Sequence, residues 1–474
     1  MENIEFEIVN SDCSASLECC NESRVAEVQN KASIANQSNL PVAIIGAGPV
    51  GLAAAAELVC RNQRFILLEA GSAVSQNVRE WGHVRLFSPW QYNVNKAAKS
   101  LLNKQGWKTP PADELPSGNE IVEQYLEPLA ELPEIKPYIM LNSKVVAVSK
   151  LDTDKMKSAN REQQPFVLYV ESEGTTKRIV ARAVMDASGT WSNPNPLYAS
   201  GVWTKEERAL NEHIFYGIPK MNEENQLKYK EKRVAVVGSG HSAINTLLEL
   251  ATLKEANPET VLYWILRKRN VEEAYGGQEN DQLEARGELG SRIHQLVISN
   301  QIKVFTPFRI EELIQTDHQI QISGTLNGEY TQISGIDQLI VNTGSRPDFS
   351  IINEIRLSID PATESVEALA PLIDPNIHSC GTVRPHGQKE LQHHEKDFYI
   401  VGMKSYGRAP TFLMATGYEQ VRSIAAYLSG DVETAAKVEL ELPETGVCSL
   451  INATNSSGES SCSTSASTTP SCCN

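Results

Sequence analysis

Residues 41–70, PVAIIGAGPVGLAAAAELVCRNQRFILLEA, decide the fold, because they read as a strand, a glycine-rich turn, a helix and a second strand. Gly46, Gly48 and Gly51 form the pattern GxGxxG inside this stretch. The first glycine permits a tight turn, the second lets the backbone approach a pyrophosphate, and the third allows helix and strand to pack closely. The stretch therefore predicts a dinucleotide site at the start of the helix.

The same unit ends in an acidic residue. Glu69 follows the apolar run Phe65 to Leu68 and lies 18 residues after the third glycine, where a carboxylate can accept both hydroxyls of an adenosine ribose. Pro49 and Val50 open the helix, whose N-terminus offers unpaired N–H groups and a positive dipole end to the phosphates. A membrane span is the alternative for residues 41–60, but three glycines, a proline and a glutamate there favour a soluble core.

The composition is that of an acidic globular protein. At 474 residues the chain is too long for one ordinary core, which predicts two or three domains. Its hydrophobic fraction of 41% and charged fraction of 22% are typical of soluble proteins. A net charge of -16 and a pI near 5.2 argue against a nucleic-acid partner and an anionic membrane surface. Because no basic and apolar leader opens the chain, we expect no signal peptide.

The nine cysteines are concentrated near the two ends of the chain. Only Cys60 and Cys380 fall inside the expected folded body. The remaining seven are Cys13, Cys19, Cys20, Cys448, Cys462, Cys472 and Cys473. Such a distribution is not the disulfide framework of a secreted domain, and we expect a cytoplasmic protein.

A second glycine motif follows about 190 residues after the first. Residues 233–243 read RVAVVGSGHSA, a GxGxxA pattern between an apolar strand and a helical run. The residues expected to contact a nucleotide there are Gly238, Gly240, His241, Ser242 and Ala243. The chain therefore predicts two nucleotide sites.

Cations follow the second strand of this second unit, where the first unit has an acid. The strand-like run Val261 to Leu266 is followed by Arg267, Lys268 and Arg269. A carboxylate at this place would repel a 2′-phosphate, whereas cations attract it. The pattern favours NADPH over NADH, with Arg267 and Arg269 as the expected binding residues. The alternative is a solvated basic turn at residues 267–270.

Two further segments are candidates for a cofactor cavity. Residues 78–95, VREWGHVRLFSPWQYNVN, alternate aromatic and polar side chains just after the second strand, and could line a flavin or substrate cavity or form a surface loop. Its candidate catalytic residues are Ser88, Trp90 and Asn93. Residues 185–191, MDASGTW, follow a predicted strand with small side chains that would let the backbone close over a cofactor.

The chain is expected to return from the second nucleotide unit to the first at Thr343 and Gly344. Beyond this loop a helix is predicted from Thr411 to Leu428, with its N-terminus facing the flavin. The predicted organisation is a disordered arm at 1–39, a first dinucleotide-binding domain at 40–227 and 346–432, an inserted second one at 228–345, and a disordered tail at 433–474.

Two nucleotide motifs in this order, with the loop at Thr343, make the chain resemble the flavoproteins with two dinucleotide-binding domains. This superfamily includes glutathione-reductase-like enzymes, thioredoxin reductases and flavin-containing monooxygenases. The resemblance covers residues 40–430 and implies an α/β fold of two Rossmann-like domains. It also implies that the first unit binds FAD and that the inserted unit binds NAD(P)H.

Within this superfamily the cysteines separate the branches. Classical disulfide reductases carry CxxxxC after the first helix or CxxC in the second domain, and neither pattern occurs here. The flavin-containing monooxygenases carry FxGxxxHxxx(Y/F) before their second glycine motif. Phe215 and Gly217 match its beginning, but Met221 stands where the histidine is expected. Residues 441–448, ELPETGVC, are similar to the tail of bacterial flavoproteins, described as monooxygenases, that accompany arsenic resistance.

The leading hypothesis is therefore an FAD- and NADPH-dependent monooxygenase that oxygenates a soft nucleophile through a flavin C4a peroxide, as the resemblance implies. One alternative is an NAD(P)H-dependent reductase of a small disulfide or quinone without protein redox cysteines. An alternative of another class is a metalloid-binding protein that uses the vicinal thiols Cys19, Cys20, Cys472 and Cys473. We expect a small-molecule substrate, neither a nucleic-acid partner nor a membrane span, and consider a homodimer.

Overall fold

The computed structural model describes residues 39–281, 283–316, 318–376, 386–409 and 412–440. Some predicted features lie outside these residues. They are the arm up to residue 38, the cysteines other than Cys60, Thr411, and the tail from residue 441.

The described strands, in chain order, are β1 (Val42–Ile45), β2 (Phe65–Leu68), β3 (Ile139–Met140), β4 (Lys144–Lys150), β5 (Phe166–Ser172), β6 (Thr175–Ala181), β7 (Ala183–Asp186), β8 (Ile214–Tyr216), β9 (Arg233–Val237), β10 (Val261–Ile265), β11 (Ile302–Phe305), β12 (Phe308–Thr316), β13 (Gln319–Leu326), β14 (Glu329–Ile336), β15 (Gln338–Val341) and β16 (Phe398–Ile400).

The described α-helices are α1 (Pro49–Cys60), α2 (Gln76–Glu80), α3 (Lys96–Lys104), α4 (Gly118–Ile121), α5 (Glu127–Ala130), α6 (Lys205–Ala209), α7 (Glu223–Tyr229), α8 (His241–Ala256), α9 (Glu284–Ile298), α10 (Ala370–Ile373), α11 (Met414–Leu428) and α12 (Val432–Ala436). A π-helical turn at Val122–Leu126 joins α4 to α5.

The first parallel sheet has the strand order β16-β7-β1-β2-β3. Val42 pairs with Phe65 on one side and with Ala183 on the other. β1, β2, β7 and β16 are fully buried, as expected for a parallel sheet with both faces covered. Helix α1 packs on this sheet and on α11, so the alanine-rich run of the sequence becomes a buried core helix.

The second parallel sheet has the order β11-β10-β9-β15-β8. Helix α8 covers one face through Ala243, Ile244 and Leu247. The other face contacts the antiparallel sheet β12-β13-β14, whose hairpin turns at Asn327 and Gly328 as the sequence predicts. A second antiparallel sheet, β4-β5-β6, lies in the chain between β3 and β7 of the first sheet. The predicted α/β class with two Rossmann-like units is confirmed.

Two described elements lie across predicted domain boundaries. β8 pairs with β15 of the second sheet, although the inserted domain is predicted to begin at residue 228. This three-residue strand carries too little periodicity to be recognised without its neighbour. At the other end, α12 (Val432–Ala436) extends into the tail predicted from residue 433, and the Asp431 side chain caps this helix by accepting a hydrogen bond from the Thr434 N–H.

The two chain segments that connect the two sheets run side by side. Pro194 and Ser345 form an isolated antiparallel bridge, and the Arg346 N–H donates to the Asn193 carbonyl at 3.0 Å. The Asn193 side chain donates back to the Arg346 carbonyl at 3.2 Å. Among the described helices, none is long and apolar enough to cross a bilayer.

Candidate active site

In the first glycine turn, Gly46 and Gly51 are tightly packed against the backbone, whereas Gly48 is open. Gly46 has φ +96°, and a Cβ there would lie 2.9 Å from the Ala187 carbonyl oxygen. A Cβ on Gly51 would lie 1.9 Å from the Gly46 carbonyl oxygen. At Gly48 a Cβ would meet nothing within 4 Å, which leaves room for a phosphate at the N-terminus of α1.

Glu69 is fixed beside this turn by backbone donors. Its Oε2 accepts a hydrogen bond from the Ala47 N–H at 2.7 Å, and its Oε1 accepts one from the Gly71 N–H at 2.8 Å. Glu69 also lines the adjacent cavity. A carboxylate held in this way keeps lone pairs for the ribose hydroxyls that the sequence assigns to it.

A cavity of about 880 Å³ extends from this turn across the carboxyl ends of the first sheet. Glu69 follows β2 at one end of the cavity, and Gly402 and Lys404 follow β16 at the other. The described residues of this cavity that the sequence predicts as cofactor-binding are Gly46, Gly48, Pro49, Val50 and Glu69. The open cradle at Gly48 and the length of the cavity fit an extended dinucleotide such as FAD.

The second glycine turn repeats this arrangement. Gly238 has φ +138°, and a Cβ there would lie 2.4 Å from the Asn342 carbonyl oxygen. A Cβ on Gly240 would again meet nothing within 4 Å, at the N-terminus of α8. His241 and Ser242 line the cavity in front of this turn. Ala243, within α8 itself, is buried in the core that this helix forms with the second sheet.

This second cavity has a volume of about 1330 Å³. Thr343 and Gly344 line it, and the Thr343 hydroxyl donates to the Asn195 carbonyl at 2.9 Å. Arg267 and Lys268 line it beyond β10, whereas Arg269 lies outside the lining. The cradle and the cations fit a pyridine nucleotide whose adenosine end lies at β10.

The two cavities meet. Eight residues line both of them: Trp81, Phe87, Trp191, Ser192, Ser345, Met403, Phe412 and Leu413. Leu413 is the N-cap of α11, so the N-terminus of that helix faces the junction. This arrangement would allow the reactive rings of two bound nucleotides to approach each other at the junction.

The three candidate catalytic residues occupy different positions. Ser88 and Asn93 line the first cavity and are buried, and the Ser88 hydroxyl donates to the Asn93 side-chain oxygen at 3.1 Å. The Asn93 amide donates to the carbonyls of Ser88 and Pro89, which fixes the loop. Trp90 is only 4% exposed and packs in the core outside both cavities.

An ion pair that the sequence did not predict lies at the floor of the first cavity. The Lys404 ammonium donates to Asp186 Oδ2 at 2.7 Å and to the Ser188 hydroxyl at 3.1 Å. Lys404 is 2% exposed and Asp186 is fully buried. The sequence marked only the small-residue loop after β7. Nothing near Lys404 in the sequence identifies it as the partner of Asp186.

A cluster around His241 was also missed. The Arg286 guanidinium forms two hydrogen bonds to the Asp281 carboxylate, at 2.8 and 2.7 Å, and lies over the Phe87 ring. Burial, together with the nearby Arg286, lowers the pKa of His241 to about 4. His241 is therefore neutral at physiological pH.

Cys60, at the end of α1, is exposed and lines neither cavity. Partial desolvation of its sulfur and the nearby Glu57 raise the pKa of this thiol. Within the described ranges no cluster of three or more potential metal ligands occurs. The predicted soft-metal thiols Cys19, Cys20, Cys472 and Cys473 lie outside those ranges.

The chain is similar to known flavoenzymes over most of its length. The family model described as pyridine nucleotide-disulphide oxidoreductase matches residues 43–379, so the chain belongs to this family. It is 25% identical over 350 residues to ferredoxin–NADP reductase 2 of Latilactobacillus sakei subsp. sakei (strain 23K), covering 72% of this chain and 84% of the relative.

Solved structures with the same fold include both reductases and monooxygenases. One is the bacillithiol disulfide reductase Bdr (YpdA) from Bacillus cereus, with a TM-score of 0.58, 17% identity, and coverage of 82% of this chain and 99% of that chain. Another is DfoA, the cadaverine monooxygenase of desferrioxamine biosynthesis from Erwinia amylovora, with a TM-score of 0.60, 14% identity, and coverage of 86% and 98%. The protein is thus an FAD- and NAD(P)H-dependent oxidoreductase of the glutathione- and thioredoxin-reductase-like fold.

Proposed function

We propose that this member of the pyridine nucleotide-disulphide oxidoreductase family is an NADPH-dependent monooxygenase. Its substrate would be a soft nucleophile that is oxygenated at sulfur, nitrogen or a trivalent metalloid. The observation that carries the proposal is the junction of the two cavities, which has no cysteine among its described lining residues. A small molecule can therefore exchange electrons with the flavin directly, without a protein thiol between them.

The residues of each cavity have distinct tasks in this proposal. FAD would be held by the Gly46–Gly51 turn and by Glu69, and when bound it supplies hydride acceptance and oxygen chemistry. The N-terminus of α11 places the positive end of its dipole at the junction, where it favours negative charge. Phe412 and Leu413 contribute apolar surface at the junction, which would limit the access of water to the reacting atoms.

The same proposal assigns NADPH to the second cavity. The Gly238–Gly240 turn would bind its diphosphate, and Arg267 and Lys268 would bind its 2′-phosphate. Arg269, a candidate from the sequence, is not needed for this contact because it lies outside the lining. Thr343 and Gly344 would position the nicotinamide end towards Ser345, which lines both cavities.

A second candidate function is supported by the similarities. The family model and the reductases among the relatives favour an NAD(P)H-dependent reductase of a small disulfide or quinone. In that case the acceptor enters the same junction and takes electrons without oxygen. The geometry of the cavities is compatible with this chemistry as well.

Oxygen dependence separates the two candidates. The FAD-loaded protein is mixed with NADPH and methyl phenyl sulfide, trimethylamine or arsenite under ¹⁸O₂, and in parallel without oxygen with 1,4-benzoquinone or an aromatic disulfide. A monooxygenase would give a product that carries ¹⁸O. Without oxygen it would oxidise only a single NADPH per enzyme. Repeated anaerobic turnover with no labelled product would instead identify a reductase.

A further inference from the structure

The second cavity has an excess of positive charge, although the chain as a whole has a net charge of -16. Its charged lining residues are the cations Arg267, Lys268, Arg286 and Arg408 and the carboxylates Glu80 and Glu273. Arg286 is buried, whereas the other three cations are exposed or half-buried. A cationic cavity in an acidic protein favours an anionic ligand, and Arg286 is the cation that is withdrawn from bulk solvent.

Arg286 is held rigidly by the turn that precedes its helix. Its Nε and one Nη donate to the Asp281 carboxylate, and the side chains are 7% and 1% exposed. Gly287 and Gly290 allow α9 to pack closely on residues 275–281, because a Cβ on them would lie 2.0 Å and 1.8 Å from backbone carbonyl oxygens of that segment. The guanidinium is therefore oriented before a ligand arrives, which lowers the entropy lost on binding.

Part of this guanidinium is left for a ligand. An arginine has five N–H donors, of which the Asp281 carboxylate takes two. The second Nη of Arg286 donates to no residue in the described ranges, and the residue lines the second cavity. A buried cation loses hydration, and an acceptor in the cavity would replace the lost water. The remaining donors thus favour an anionic acceptor.

Arg286 lies beside the N-terminus of α8. The ring centroid of Phe87 lies 5.6 Å from the Arg286 guanidinium and 5.2 Å from the ring centroid of His241, the first residue of that helix. Gly240, which precedes it, has open space where a Cβ would lie. The N-terminus of this 16-residue helix offers the positive end of its dipole. A buried cation and a helix end therefore favour negative charge at the same place.

The inference rests on the proposed function, which assigns NADPH to the second cavity. We propose that Arg286, held by Asp281, binds the diphosphate of the pyridine nucleotide together with the N-terminus of α8. Arg267 and Lys268, beyond β10, are assigned to the 2′-phosphate, so the two sets of cations recognise different parts of one ligand. Because NADPH and NADH share the diphosphate, Arg286 contributes equally to the affinity for both.

Titration calorimetry with the FAD-loaded protein tests this assignment. The ligands are NADP⁺, NAD⁺ and 2′-AMP, which carries a 2′-phosphate but no diphosphate. The variants are Arg286→Gln and the double variant Arg286→Gln/Asp281→Asn, which leaves no unpaired carboxylate at the site. Arg292→Gln is the matched control, because Arg292 lies in the same helix, is exposed and lines neither cavity.

The expected result is a loss of affinity of at least tenfold in Arg286→Gln, equal for NADP⁺ and NAD⁺ within twofold. The double variant shows the same loss, whereas 2′-AMP binding stays within twofold of the wild type in every variant. Arg292→Gln binds all three ligands like the wild type. The double variant also serves if the uncovered Asp281 carboxylate prevents Arg286→Gln from folding.

Three outcomes would overturn the proposal. Unchanged affinity for NADP⁺ would remove Arg286 from the site, and recovery of wild-type affinity in the double variant would assign the loss to the uncovered Asp281. A loss confined to NADP⁺ and 2′-AMP would place Arg286 at the 2′-phosphate. If the FAD-loaded wild type bound neither NADP⁺ nor NAD⁺, the proposed function itself would be contradicted.

Discussion

The ring centroid of Phe87 lies 5.2 Å from that of the His241 imidazole. Phe87 belongs to the segment after the first Rossmann unit and lines both cavities, whereas His241 opens α8 in the second unit. The contact therefore joins the two Rossmann-like units at the place where the cavities meet. A neutral imidazole suits this apolar contact better than a cation beside Arg286.

The first prediction concerns the acid stability of this contact. Because the pKa of His241 is lowered to about 4 in the folded protein, the unfolded chain binds more protons between about pH 6.5 and 4. Stability is therefore lost as the pH falls through this window. The melting temperature of His241→Gln should fall less between pH 7.5 and 5 than that of the wild type. His294→Gln, which removes an imidazole stacked on Tyr275, is the control and should behave like the wild type.

The second prediction concerns the choice of nucleotide. Replacing both Arg267 and Lys268 by serine should lower the ratio of kcat/KM for NADPH to that for NADH by at least tenfold, about 1.4 kcal/mol, because two cations facing the cavity are lost. Arg269→Ser should leave the ratio unchanged, since this side chain lies outside the lining. A larger effect from Arg269 than from the other two would refute the assignment of the 2′-phosphate site.

The third prediction concerns the buried ion pair. Lys404→Met leaves the Asp186 carboxylate without its cation in the protein interior, which should cost about 3–5 kcal/mol of stability. The double variant with Asp186→Asn should recover part of this loss, because no unpaired charge remains. Urea unfolding of the FAD-loaded proteins, followed by circular dichroism, measures both. Equal destabilisation of the single and double variants would show that the charge pairing contributes little.

The fourth prediction concerns the role of thiols. Cys60→Ser should keep kcat and kcat/KM for NADPH within twofold of the wild type, because Cys60 lies outside both cavities and its thiol pKa is raised. Steady-state assays with whichever acceptor the wild type turns over provide the measurement. A tenfold loss with normal flavin content would place Cys60 in the electron path.

The sequence predicted the features that depend on local chemistry. β1, the first glycine turn and α1 occupy residues 42–60 as expected, and α8 begins at His241, directly after the second turn. In both units a glycine with positive φ and a close helix–strand contact impose a residue type at a fixed spacing. The predicted fold class was accordingly confirmed.

The features that sequence reasoning missed depend on contacts between distant residues. Asp186 and Lys404 are separated by 218 positions, and β8 becomes a strand only because β15 lies beside it. The Arg286–Asp281 pair is closer in sequence, but only the packing of α9 shows that it is buried. Trp90 lies in the core outside both cavities, and composition alone does not distinguish a cavity wall from a core.

The central claim is that the two glycine turns bind different nucleotides. Gly48 and Gly240 test it, because both have extended backbone angles that alanine can adopt, and a Cβ at either place meets no protein atom within 4 Å. An added methyl group should therefore disturb only a bound phosphate. Gly48→Ala should weaken FAD binding at least tenfold, and Gly240→Ala should keep bound FAD but weaken NADP⁺ binding at least tenfold.

The decisive measurement is titration calorimetry of FAD with the flavin-free form, and of NADP⁺ with the FAD-loaded form, for the wild type and both variants. The account predicts that each substitution weakens one nucleotide and leaves the affinity for the other within twofold. Loss of FAD in Gly240→Ala with normal binding in Gly48→Ala, or unchanged affinities in both, would contradict it.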